Sequence, residues 1–66
     1  MISFGQKVKQ ERLLRNWTIY RLAKLSGVSQ GTIKRVERGD GRHNLSVLLA
    51  LAKTLEFDTL LDRDSI

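Results

Sequence analysis

The sequence predicts an all-α domain of four or five short helices. Three observations carry that prediction. The 66 residues contain no Pro, so no segment holds the strongest helix breaker. The only punctuation is Gly5, Gly27, Gly31, Gly39 and Gly41. Between these glycines the apolar residues recur at helical spacing, and strand-like alternation is confined to the last segment. A chain of this length is read as one small domain, residues 1–66, without internal repeats or linkers.

The first predicted helix runs from about Ser3 to Arg15. Phe4, Val8 and Glu11/Arg12 share one stripe, with Leu14 beside it. The second runs from Thr18 to about Ser26. Thr18 is a good N-cap, Trp17 and Leu22 stand at the two ends of a hydrophobic staple, and Gly27 suits the left-handed exit. The third repeats the design, with Ser29 as N-cap, Val28 and Ile33 as staple, and Gly39 as the stop after Arg38. Only Val28 and Ser29 lie between Gly27 and Gln30. So short a turn rules out antiparallel packing and forces a steep crossing, which is a helix-turn-helix over residues 18–38. Asp40-Gly41-Arg42-His43 reads as a polar turn, and Asn44 caps a fourth helix. There Leu45, Leu48, Leu49, Leu51, Ala52 and Leu55 form a broad apolar face, expected to be mostly core. The tail, 56–66, admits two readings. Asp58 caps a short helix carrying Leu60 and Leu61, or Phe57, Thr59 and Leu61 alternate in a short strand; the helix is preferred.

Composition removes several classes of function. Cys is absent, which excludes a disulfide framework and a thiolate zinc site. His43 is the single histidine and has no second ligand at useful spacing, so no metal, cofactor or catalytic triad is expected, and the chain is not read as an enzyme. No apolar run approaches the roughly 20 residues of a membrane span, and the N-terminus has no signal-peptide core. The charge is uneven. Residues 1–42 hold ten bases and three acids, whereas residues 43–66 hold two bases and four acids. A basic head and an acidic tail suit a polyanion held at one end only, although each cation by itself is more often a solvated surface residue.

The third helix sharpens this. Turned at about 100° per residue, it puts Ile33, Val36 and Glu37 on one side. Gly31, Lys34, Arg35 and Arg38 lie on the other, with Thr32 at the edge and Gln30 at the first turn. Arg can bridge O6 and N7 of guanine, Gln can bridge N6 and N7 of adenine, and the major groove of duplex DNA admits a helix of this width.

The run from Thr18 to Gly39 resembles the lambda-repressor-like, Cro/XRE-type helix-turn-helix DNA-binding family. Its pattern is Thr18, Leu22-Ala23, Gly27-Val28-Ser29-Gln30, Thr32-Ile33 and Glu37-Arg38-Gly39. Phe4-Gly5 and Val8 resemble the family's first helix, and Leu45 to Leu55 its fourth. The resemblance implies that Gln30, Gly31, Thr32 and Arg35 meet bases. It implies backbone contacts for Thr18, Lys34, Arg38 and Arg42, with Lys7 or Lys9 as another. It implies a structural ion pair between Arg12 and Glu37. Two departures stand out: Ile19 occupies the position of a common phosphate-binding Gln, and Gly31 occupies that of a common reading side chain.

The function implied is a sequence-specific regulator of transcription, a repressor that binds double-stranded DNA as a homodimer on a palindromic operator. Such a protein is expected in the cytoplasm of a prokaryotic cell, or encoded by a phage. Leu55, Phe57, Leu60 and Leu61 are the expected dimer interface. The rival reading is an antitoxin or accessory regulator whose main partner is another protein, such as a toxin. An RNA-binding role is weakened by the shortage of aromatic residues for stacking.

Overall fold

A computed structural model describes residues 3–57 as four helices: α1 (Phe4–Leu14), α2 (Ile19–Ser26), α3 (Gln30–Arg38) and α4 (Leu45–Thr54). There is no strand among the described residues. Each helix begins on the residue type its first turn needs. Thr18, Ser29 and Asn44 accept from the backbone N–H three residues on, at 3.0, 3.2 and 3.0 Å. Ser3 does the same for α1 and closes a capping box with Gln6, which accepts from the Ser3 N–H in return at 3.0 Å. Helices α2 and α3 end on Gly27 and Gly39, both left-handed.

The core is Val8 from α1, Leu22 from α2, Val28 from the turn, Ile33 and Val36 from α3, and Leu51 and Leu55 from α4 and its end. Helix α3 packs against α1 and α2, and α4 packs against α2. Phe4, Trp17, Ile19, Ala23, Val47, Ala50 and Phe57 pack around this centre, so both ends of each expected staple are in or against the core. One glycine sets the distance between α1 and α3. A Cβ on Gly5 would overlap the carbonyl oxygen of Val36.

Two expectations are corrected, for α4 and for Leu55, and the place of Leu14 is made definite. Leu14 is 71% exposed, because the stripe through Phe4, Val8 and Arg12 faces the core and Leu14 lies off it. Helix α4 is not mostly core: Leu45 and Leu49, one turn apart, are 68% and 51% exposed, and only Leu51 and Leu55 are buried on that segment. Leu55 is 1% exposed, enclosed by the monomer's own core, and so has no side-chain surface for a dimer. Phe57 is half-buried, edge-on against Phe4 with ring centroids 5.6 Å apart. Leu60, Leu61 and the choice between helix and strand for the tail lie outside the described residues.

Candidate nucleic-acid interface

Helix α3 is anchored on one side and open on the other. Ile33 and Val36 are buried, and Glu37 is held from beneath by Arg12. The Arg12 guanidinium meets the carboxylate as a fork. Nε donates to Oε2 at 2.8 Å and Nη2 donates to Oε1 at 3.0 Å. Its remaining Nη1 donates to the carbonyl of Trp17 at 2.9 Å. One buried cation thus ties α1, α3 and the turn leading into α2. The hydrogen bonds to Glu37 push Arg12 above its ordinary pKa despite its burial, so it stays charged at any working pH.

With Glu37 turned inward, the outer face of α3 carries Gln30, Gly31, Lys34, Arg35 and Arg38, all exposed. Lys34 and Arg35 have no ion-pair partner among the described residues. Thr32 is half-buried on the edge, and its Oγ1 accepts from the Ser29 hydroxyl at 2.9 Å. Its hydroxyl proton, a second lone pair and its methyl group remain for a ligand. Arg38 pairs with Asp40, Nη2 to Oδ2 at 2.9 Å and Nε to Oδ2 at 3.0 Å, on open surface. Arg42 is exposed in the turn after α3, where His43 Nε2 lies 3.1 Å from the Asp40 carbonyl oxygen. Thr18 is exposed, and its hydroxyl oxygen serves the Arg21 N–H.

The two flanks of α3 differ. On the α1 side a groove of about 300 Å³ is lined by Lys9, Arg12, Ile19, Lys34, Glu37 and Arg38. With Arg12 and Glu37 neutralising each other at its base, its free charge is cationic. On the α4 side a groove of about 350 Å³ is lined by neutral residues, among them Gly27, Ser29, Thr32, Ser46 and Ala50. Lys9 therefore stands beside the face of α3. Lys7 does not line this groove. It pairs with Glu11 at 3.5 Å and lies over the Phe57 ring, 5.6 Å from its centroid.

Charge counting could not separate structural cations from free ones. Arg15 belongs to the fold: Nη1 donates to the Glu11 carboxylate at 2.7 Å, and Nη2 donates to the Leu55 carbonyl at 2.8 Å, at the end of α4. The Arg15 hydrogen bond holds the Glu11 carboxyl below its ordinary pKa, against slight burial, with help from the charge of Lys7. The i, i+4 spacing of Glu11 and Arg15 was the available signal. Asp40, an acid beside the basic face, had no signal beyond its nearness to Arg38 in the chain.

The family model described as Helix-turn-helix matches residues 8–60. The chain belongs to the helix-turn-helix family of Cro/C1 type. It is a helix-turn-helix protein in geometry as well, with α2 and α3 forming the motif and α1 and α4 buttressing it. No curated protein and no solved structure matches the chain. Membership supports a DNA-binding regulator. No helix of the described residues is long and apolar enough to cross a membrane.

Proposed function

We propose that this helix-turn-helix protein is a sequence-specific repressor that docks α3 in the major groove of duplex DNA and acts as a homodimer without a catalytic step. The observation that carries the reading is the division of α3. Its apolar residues and its one acid face inward, and Gln30, Lys34, Arg35 and Arg38 face solvent. Gln30 and Arg35 carry the side chains that match adenine and guanine edges, with Thr32 and Gly31 beside them. Thr18, Lys34, Arg38 and Arg42 contact the backbone. Lys9 joins them, because its groove is continuous with Lys34 and Arg38.

A single α3 spans too few base pairs for useful specificity. Two copies on half-sites about 34–36 Å apart supply it. Leu55 is withdrawn from the dimer surface, and the remaining candidates are Phe57 and the tail. The rival reading, an antitoxin or accessory regulator whose main partner is another protein, would be favoured by a strand-forming tail, and residues 58–66 lie outside the described residues.

The test is a pair of substitutions measured on a panel of duplexes at fixed salt. Arg35→Ala should relax preference at one base position, and Arg42→Ala should weaken all duplexes alike. If Arg35→Ala keeps the base preferences of wild type, Arg35 is not a reader.

A further inference from the structure

Gly31 is the one glycine of this chain that the fold leaves unexplained. Gly5 sits where a Cβ would strike the Val36 carbonyl, and Gly27, Gly39 and Gly41 have φ of 79°, 78° and 70°. Gly31 is the second residue of α3, outside the left-handed region, and a Cβ added there meets nothing within 4 Å among the described residues. Alanine is favoured over glycine within a helix, and the described neighbours leave room for its methyl group. The position lies on the outer face, next to Gln30, with Lys34 and Arg35 one turn further on. The gap faces outward and is used by nothing among the described residues.

We infer that Gly31 is a specificity-determining notch that receives the 5-methyl group of a thymine. The inference rests on the reading of α3 as the major-groove element. Donors and acceptors line the floor of that groove, and the thymine methyl is its one apolar projection. A glycine has no side-chain donor or acceptor to offer a polar edge. It does offer bare Cα hydrogens, against which a methyl group can close. A Cβ would hold the helix away from that base and loosen the flanking contacts of Gln30 and Arg35 with it.

The experiment first selects duplexes from a random library with the full wild-type chain at fixed salt. It then compares wild type and Gly31→Ala on the selected duplex, on the same duplex with each thymine replaced in turn by uracil, and on an unrelated duplex. Gly31→Ala should melt no lower than wild type, because alanine suits a helix at least as well as glycine. It should bind the selected duplex roughly tenfold more weakly and the unrelated duplex equally well. Wild type should lose affinity at one thymine per half-site when that thymine becomes uracil, and Gly31→Ala should be indifferent there. Equal affinity of the two proteins for the selected duplex would overturn the inference. So would a loss in Gly31→Ala with no thymine at which wild type notices uracil. A wild-type protein that enriches no duplex would overturn the underlying reading, a result distinct from either.

Discussion

Arg12 and Gly5 fix the seat of α3, by opposite means. Arg12 satisfies a buried carboxylate and a turn carbonyl at once. A pair of this kind contributes little net stability, but removing one partner leaves the other charged and unmatched, at a cost of about 3–5 kcal/mol. Glu37→Ala should therefore lower unfolding stability by about that much in urea, with base preference unchanged; an unaltered denaturation midpoint would reject the role. Gly5 acts by absence. Gly5→Ala puts a methyl group into the Val36 carbonyl, between two backbones with no flexible side chain to yield. Loss of about 1–3 kcal/mol is expected, and calorimetry reads it. The pairing of Arg12 with Glu37 was legible because helical spacing turns Glu37 inward and the family resemblance supplies its partner. The role of Gly5 was not, since a close approach of two helices joins residues far apart in sequence and leaves no local pattern.

At the scale of the elements, the caps were legible because each is a local hydrogen bond between near neighbours. Ser29 and Thr18 could be assigned from residue type and position alone. Burial on α4 was misjudged for a related reason. A leucine-rich helix has apolar residues all round, and only its neighbours decide which of them are covered; here α2 covers one side and leaves Leu45 and Leu49 open. The end of α4 carries a flaw that substitution should repair. Glu56 has a φ of 55°, a left-handed conformation that a side chain resists. Glu56→Gly should stabilise the fold by about 1 kcal/mol and raise the melting temperature accordingly; a lower one would contradict this. The α1 ion pairs predict an acid dependence. Arg15 holds the Glu11 carboxyl below its ordinary pKa, so the folded state binds that proton less tightly than the unfolded chain. The contribution is fully present above the unfolded value, and it is lost as pH falls from about 5 towards 3. Glu11→Gln should flatten the stability profile in that window and leave its shape near neutrality unchanged.

For the whole molecule, the cations nearest α1 and α3 divide into those the fold uses and those it leaves open. Arg12 and Arg15 hold the helices together, and Lys7 is occupied by Glu11 and Phe57. Lys9, Lys34, Arg35 and Arg42 are exposed with no ion-pair partner among the described residues, and Arg38, in the groove of Lys9 and Lys34, is shared with Asp40. Only the second population should release counterions on binding a duplex. Lys9→Gln should reduce the slope of log affinity against log salt by about one per protomer, and Lys7→Gln should leave it unchanged. Equal effects of the two would mean that the cationic flank is not what tracks the phosphates. The central claim is that the outer face of α3 reads paired bases. Selection from a random duplex library at one fixed salt concentration tests it most directly. The predicted result is an enriched, two-fold symmetric motif with half-sites one helical turn apart. Recovery of no common sequence, or equal retention of single-stranded competitors, would contradict it.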